Sequence, residues 1–277
     1  MELIHSWLAA GTANALTSSL LHPLDRTRVL IQCTPQTSLF QSLRAQYASG
    51  GVRTLWLPGL SASIMREYLY SGPRVGLYVP VRDYLGETLH FEKTSFTLKI
   101  FTGVLTGALS CVFSNPIDVI KVRQMLEPKA YGSLIRAVPE IVSSEGWFGL
   151  YKGVLPSTLR GAAITVGQLS AYDISKGELR KVLGISEGFH LHVAASLIAG
   201  VCAAVLAAPA DLIKSRAMAS KSTSMSTASI LRDILREGGP ASLFRGVLPA
   251  YLRQGPHVLI CLPLMEQLRA LLGLSYV

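Results

Sequence analysis

Three arginines at equivalent positions of a repeated sequence are the residues of this chain best suited to bind a ligand. Arg66, Arg160 and Arg253 are separated by 94 and 93 residues, and each lies within a mostly apolar stretch. An arginine within a membrane span usually faces the bundle interior or a water-filled cavity. Arg74 follows Arg66 by eight residues, on nearly the same helical face. Since the guanidinium fork suits carboxylate or phosphate oxygens, the four arginines predict a cavity that binds a small anion.

Two neighbours of these arginines bear on the chemistry of the predicted cavity. Glu67 directly follows Arg66, and it either neutralises part of the arginine charge or points toward a neighbouring helix. Gln168 lies eight residues after Arg160 and is predicted to share its face as a polar contact for the anion. Packing between helices is an equal alternative for Gln168. For the arginines, the alternative is that their side chains extend to the membrane interface, which suits one residue better than three in register.

A second set of charges recurs at one end of the predicted cavity. Three segments superimpose, and their sequences are HPLDRTRVLIQ, NPIDVIKVRQM and APADLIKSRAM. Each contains a proline, an acid two residues later and a base three residues after the acid. The prolines are Pro23, Pro116 and Pro209, spaced 93 residues apart, the acids are Asp25, Asp118 and Asp211, and the bases are Arg28, Lys121 and Lys214.

The prolines explain how these charges would meet. A proline within a span removes a backbone hydrogen bond and kinks the helix, so three equal kinks draw the helix ends together. In a three-fold arrangement each acid then meets the base of the neighbouring helix. We therefore predict a ring of three ion pairs that closes the cavity. Desolvation offsets much of the attraction in such pairs, which suits a gate that opens repeatedly. The alternative is that these charges only cap helix ends.

A second, weaker gate is predicted at the opposite end of the cavity. Asp173 is followed by Lys176, and Glu266 is followed by Arg269, each three residues apart. The first repeat has Arg82 at the basic position but no acid three residues before it. The pattern therefore allows at most two such ion pairs.

The elements that must position these residues are six membrane-spanning helices. Each repeat holds two apolar stretches of about 20 residues or more, the length that crosses a bilayer. The predicted spans are 6–31, 61–85, 98–123, 155–177, 191–216 and 248–271, within repeats 1–92, 93–186 and 187–277. A short amphipathic segment separates the two spans of each repeat and is predicted to lie along the membrane surface. The fold class is an all-α membrane protein with six transmembrane helices in a three-fold pseudosymmetric bundle.

Composition agrees with this fold class and excludes several functions. The chain is 49% hydrophobic and 16% charged, below the charge content of about 25% that is typical of soluble domains. The net charge of +9 suits anionic lipid or anionic solutes, while its dispersion along the chain argues against nucleic-acid binding. The four cysteines and six histidines show no metal-ligand spacing, and no nucleophile–base pattern indicates an enzyme. No cofactor is expected.

The repeated P-x-D-x-x-[KR] motif, the loop EGWFGLYKG and the YDISK segment resemble the mitochondrial carrier family over essentially the whole chain. The segments RGAAITVGQLSAYD and GPHVLICLPLMEQLR are similar to its dicarboxylate carrier branch. The resemblance implies a monomer in the inner mitochondrial membrane, with short surface helices on the matrix side and termini toward the intermembrane space. It further implies alternating access around one central site, and cardiolipin-like lipid as a partner. In the related carriers, arginines at the positions of Arg66, Arg74, Arg160 and Arg253 are associated with carboxylate binding.

The chain departs from the family pattern mainly in its first repeat. Leu30 stands where the other repeats have Arg123 and Arg216, and the loop GGVRTLWLPG lacks the acid. The glutamine that the family places nine residues after the proline occurs only as Gln32, which the resemblance assigns to the matrix gate.

Three functions remain open on the sequence alone. The first is exchange of small dicarboxylates or oxoacids, such as malate, succinate, oxoglutarate or oxaloacetate, with phosphate or sulfate as alternative counter-substrates. The second is an uncoupling-type proton or anion carrier. The third is a scaffold with the carrier fold that does not transport.

Overall fold

A computed structural model describes residues 2–33, 38–89, 95–182, 189–221, 226–244 and 247–272. Within these ranges the chain forms twelve α-helices and no β-strand. The first third contains α1 (Glu2–Leu20), α2 (His22–Cys33), α3 (Leu39–Ala48), α4 (Gly51–Trp56), α5 (Leu60–Gly76) and α6 (Tyr78–Leu89). The second contains α7 (Phe96–Leu126), α8 (Leu134–Glu145) and α9 (Val154–Val182), and the last contains α10 (Phe189–Ala219), α11 (Thr227–Gly238) and α12 (Val247–Leu271).

The order of long, short and long helix occurs three times, and the long helices close into a ring. α1 packs against α5 and α12, α7 packs against α5 and α9, and α10 packs against α9 and α12. The short helices α3, α8 and α11 each begin after a serine whose hydroxyl accepts a backbone N–H of the first turn. This cap satisfies one of the N–H groups that the start of a helix leaves unpaired.

The predicted spans are helical, but two of them are divided into two helices. The spans also differ from one another in hydropathy. The first span breaks at Leu21 into α1 and α2, and the second breaks at Leu77 into α5 and α6. Among the described residues, two segments are long and apolar enough to cross a membrane by length and composition alone. They are Thr97–Leu126 and Ala194–Ala219, with mean hydropathy 1.4 and 2.0. A spanning helix that turns charged residues toward a shared interior has a lower mean hydropathy. This applies to α5, which carries Arg66, Glu67 and Arg74.

The three repeated prolines do not occupy identical settings. Pro23 stands in the first turn of α2, directly after the break at Leu21. Pro116 and Pro209 lie inside the continuous helices α7 and α10. The kinks assigned to all three prolines therefore remain a prediction, and in the first repeat the helix is divided at Leu21.

The outer surface of the ring is apolar, as a lipid environment requires. Large apolar side chains are exposed on the long helices, for example Leu16, Phe113, Leu159, Leu206 and Leu259. Hydroxyl side chains are instead buried between helices, where several bond a carbonyl one turn earlier, as Thr106 bonds Thr102. These exposed apolar side chains suit contact with lipid.

Two long helices, α5 and α9, each begin after a glycine that packs closely against a helix of the next repeat. Gly59 and Gly153 precede α5 and α9 with φ of +82° and +80°, in the left-handed region that favours glycine. A Cβ at Gly59 would lie 3.1 Å from the Lys121 carbonyl oxygen, and one at Gly153 would lie 3.5 Å from that of Lys214. The close approach places α5 and α9 beside the helix ends that carry the gate residues.

Candidate functional site

A ring of three interhelical ion pairs joins α2, α7 and α10. The Lys121 ammonium lies 2.5 Å from a carboxylate oxygen of Asp25. The Lys214 ammonium lies 2.7 Å from Asp118, and the Arg28 guanidinium lies 2.6 Å from Asp211. The three acids are 6–8% exposed. Each acid thus meets the base of a neighbouring helix, in the arrangement that the three-fold pattern predicted, and whether the ring acts as a gate remains a prediction.

Gln32 lies beside this ring on the last turn of α2. Its side-chain oxygen accepts a 2.6 Å hydrogen bond from the Ser215 hydroxyl of α10, and the side chain is buried. The Cys33 thiol follows in sequence and donates to the Ser215 carbonyl at 3.5 Å. Gln32 therefore connects the first and third repeats on the loop side of the ring, which adds to the contacts that hold the helix ends together.

Two of the predicted binding arginines contact the ring acids directly. The Arg66 Nε donates to an Asp118 oxygen at 3.1 Å, and Arg160 forms an ion pair with Asp211. Asp118 and Asp211 are therefore each shared between one arginine of the cavity and one base of the ring. The sequence placed the arginines within predicted membrane spans, but it did not indicate that they reach the acids of the ring.

A central cavity of about 380 Å³ lies above the ring. Arg66, Arg74 and Arg160 all line it. Arg74 is exposed, donates to the Tyr70 hydroxyl at 3.3 Å, and places its guanidinium carbon 5.6 Å from the centre of the Tyr70 ring. The Arg66 guanidinium carbon lies 4.7 Å from the same ring centre. The two guanidinium groups thus make cation–π contacts with the same tyrosine ring in the wall of the cavity.

Several further polar side chains of the cavity were not identified from the sequence. They are Asn14, Tyr70, Ser71, Thr158, Gln254 and His257. A spacing signal existed for two of them, because Tyr70 follows Arg66 by four residues and His257 follows Arg253 by four. Residues four apart share a helical face, so these two were predictable in principle. The mixture of fixed cations and neutral hydrogen-bonding groups suits a small polar anion.

Four predicted site residues, Gln168, Asp173, Arg253 and Glu266, lie on described helices, but their side chains are outside the part that the structure describes. At the end of the cavity opposite the ring, Arg82 pairs with Asp83, the next residue in the chain, at 2.9 Å. Lys176 and Arg269 stand on α9 and α12 near their far ends. The second gate therefore stays a prediction.

In the first repeat, where Leu30 replaces the arginine of the other two repeats, Arg26 makes the equivalent hydrogen bond from one helical turn earlier. The Arg123 Nε donates to the Met218 carbonyl at 3.2 Å, and the Arg216 Nε donates to the Gln32 carbonyl at 3.2 Å. In the first repeat, the Arg26 Nε donates to the Met125 carbonyl at 3.3 Å. The three accepting carbonyls are spaced 93 residues apart, so Arg26 fills the role that position 30 has lost.

Carboxylates near the ends of the short helices α8 and α11 complete this second set of contacts in two repeats. Glu145 pairs with Arg123 through contacts of 2.5 and 2.8 Å and also bonds Lys152, and both members of the Arg123–Glu145 pair have side chains 2% exposed. Glu237 pairs with Arg216 at 2.7 Å but is 37% exposed at its side chain. Burial by itself raises the pKa of Glu145, yet the hydrogen bonds from Arg123 and Lys152 outweigh it and hold the pKa below the usual range.

We expect Glu145→Gln to destabilise the protein far more than Glu237→Gln. The first change leaves Arg123 buried without an anion, which costs about 3–5 kcal/mol, whereas an exposed pair contributes about 0–1 kcal/mol. Thermal unfolding of detergent-purified variants measures the difference. Equal unfolding temperatures of the two variants would show that the buried pair stabilises the protein no more than the exposed one. Because the pKa of Glu145 is lowered, its contribution is present at neutral pH and is lost as the pH falls through that lowered pKa.

Comparisons with known proteins agree with this architecture. The family model described as "Mitochondrial carrier protein" matches residues 1–89, 92–183 and 186–276. A mitochondrial dicarboxylate transporter of Saccharomyces cerevisiae is 30% identical over 278 residues, covering 96% of this chain and 92% of the relative. Mitochondrial citrate transporter F of Aspergillus niger is 30% identical, covering 93% and 86%. Mitochondrial uncoupling protein 1 of Arabidopsis thaliana is 31% identical, covering 78% and 73%.

Proposed function

The chain belongs to the mitochondrial carrier proteins, a family of transporters and not of enzymes, and on that basis we propose that it exchanges small dicarboxylates or oxoacids. Members of the family are multi-pass proteins of the inner mitochondrial membrane. The cavity is the observation that carries the proposal, because Arg66, Arg74 and Arg160 converge on a space of about 380 Å³. Guanidinium groups bind carboxylates through paired hydrogen bonds, and two separated arginines match two carboxylates.

The transport cycle follows from the position of the ring beneath the cavity. With the ring closed, an anion that enters from the opposite end reaches Arg66 and Arg160 and competes with Asp118 and Asp211 for them. Binding of the anion therefore changes the contacts of Asp118 and Asp211, and the cycle is completed when the ring pairs separate and the cavity opens toward the loop side. In the membrane, the loop side faces the matrix, the termini face the intermembrane space, and the protein works as a monomer in contact with anionic, cardiolipin-like lipid.

An uncoupling-type carrier is the second candidate, and the similarity to uncoupling protein 1 of Arabidopsis thaliana favours it to a comparable degree. It shares the need for a polar cavity with arginines. Strict counter-exchange separates the two, because an exchanger moves an anion only against another anion. A scaffold without transport would not need a cavity lined with arginines.

A ligand panel tests the proposal directly. We expect malate, succinate, oxoglutarate or oxaloacetate to raise the unfolding temperature of the purified protein, since a ligand at about 100 times its Kd adds about 2.7 kcal/mol of stability. Phosphate, sulfate and purine nucleotides complete the panel. The same solutes are then tested for exchange in proteoliposomes. A shift with purine nucleotides alone would favour the uncoupling-type carrier, and no shift together with no exchange would support the scaffold.

A further inference from the structure

Glu67 is a buried carboxylate in the wall of the central cavity that the proposed exchange does not use. The residue is 6% exposed. One of its oxygens lies 3.0 Å from Arg66 Nη1 and also accepts a 3.2 Å hydrogen bond from the Ser18 hydroxyl of α1. An ionised carboxylate in such a site is stable only while its cation partner remains in place. A change in the contacts of Arg66 therefore affects the charge that Glu67 can carry.

The hydrogen-bonding fork of Arg66 is already occupied when the cavity holds no anion. Glu67 binds Nη1, and Asp118 binds Nε at 3.1 Å. An incoming carboxylate must displace one of these two acids. Asp118 is also held by Lys214 at 2.7 Å, whereas the second partner of Glu67 is a neutral hydroxyl. Moving Glu67 away breaks one ion pair, with Arg66, whereas moving Asp118 away breaks two, with Arg66 and Lys214. We therefore expect an anion that binds Arg66 to take the place of Glu67 first.

The surroundings decide what happens to the displaced carboxylate. The small chamber below Glu67 is lined by residues of α2, α7, α9 and α10, and from α12 the Cys261 thiol interacts with Glu67 electrostatically. On the cavity side, Arg74 of α5 and the ionisable His257 of α12 line the same space as Glu67. In the chamber, the charged groups contributed by the other helices are Asp25, Arg28, Asp118, Lys121, Arg160, Asp211 and Lys214. Each of the four bases is paired with an acid of the ring in the described structure. Glu67 then lies beside the anion's own carboxylate, and two carboxylates that share a site favour protonation of one.

We propose that Glu67 takes up one proton from the cavity water when a dicarboxylate binds Arg66, and that it releases the proton when the anion leaves. Each bound anion is then accompanied by one proton, so Glu67 reduces the negative charge that crosses the membrane with the substrate. This inference rests on the proposed function. If Glu67 served only as a fixed counter-ion of Arg66, anion binding would involve no proton.

Proton uptake on binding is measured most directly at equilibrium, on the purified full-length protein with malate. Because a proton is taken up on binding, we expect the Kd for malate to rise with pH, by at most about tenfold per pH unit where a full proton is taken up. Titration calorimetry in buffers of different ionisation enthalpy counts the same proton independently. The Glu67→Gln variant retains the size of the side chain and an acceptor for Ser18. We expect it to bind malate with a nearly pH-independent Kd and no proton uptake.

Glu87→Gln is the matched control, since Glu87 is an exposed glutamate of α6, away from the cavity. It is expected to show the same proton uptake as the unmodified protein. Malate binding without proton uptake in the unmodified protein would overturn the inference while leaving the exchange function intact. Equal proton uptake in the Glu67→Gln variant would overturn it as well. If neither protein binds malate at any pH, the dicarboxylate function itself fails, and the inference fails with it.

Discussion

Asp118→Asn is expected to lower the apparent unfolding temperature by about 10 °C and to impair exchange. Asp118 is 6% exposed and holds two cations, Lys214 at 2.7 Å and Arg66 at 3.1 Å. A neutral amide leaves both cations buried without their shared anion, which costs about 3–5 kcal/mol in the closed state. The weakened ring also predicts efflux of a loaded dicarboxylate from proteoliposomes without external counter-substrate. Thermal unfolding and efflux assays measure the two effects.

Glu140→Gln is a suitable control for Asp118→Asn, because Glu140 is an exposed carboxylate of α8. It should change neither the unfolding temperature nor the efflux. A charge exchange tests the pairing itself: Asp25→Lys and Lys121→Asp each place like charges opposite one another, and the double variant restores an attractive pair at the 2.5 Å contact. Recovery of stability in the double variant supports the ring. Unchanged stability and kinetics in Asp118→Asn would refute the assignment of a gate.

Arg160→Ala is expected to reduce dicarboxylate uptake by about two orders of magnitude or more. Truncating one partner of a buried, hydrogen-bonded charge pair costs about 2–5 kcal/mol, and Arg160 both lines the cavity and pairs with Asp211. The protein should remain folded, since Asp211 keeps its 2.6 Å contact with Arg28. Initial uptake rates in proteoliposomes, compared with the unfolding temperature, separate loss of binding from loss of structure. Arg253→Ala is expected to behave in the same way from its position in the repeat.

Two further variants sharpen this result. Arg160→Lys keeps the charge but loses the planar fork, so we expect a raised KM with partial activity. Arg136→Ala removes an exposed arginine of α8 and should leave uptake unchanged. Uptake by Arg160→Ala at the rate of the unmodified protein would show that the anion binds elsewhere.

Repetition made the main features of this protein predictable from sequence. A single P-x-D motif indicates little, but three at a spacing of 93 residues define equivalent helix positions. Equivalence in turn predicts that the acid of one helix meets the base of the next, and Asp25–Lys121, Asp118–Lys214 and Asp211–Arg28 are paired in the structure. The arginines of α5 and α9 were assigned to the cavity by the same reasoning, and Arg66 and Arg160 both line it.

The helical spans, their three-fold order and the sets of charged residues that meet were predictable, because they depend on spacing along the chain. Which of several possible partners each long side chain contacts became clear from the packing of the helices. Arg66 and Arg160 extend down to Asp118 and Asp211, Arg26 replaces the arginine missing at Leu30, and Arg82 turns to its neighbour Asp83. Such choices depend on the rotation and axial shift of each helix against its neighbours. Shifts of one helical turn, about 5.4 Å, change the partner of a long side chain without changing any sequence pattern.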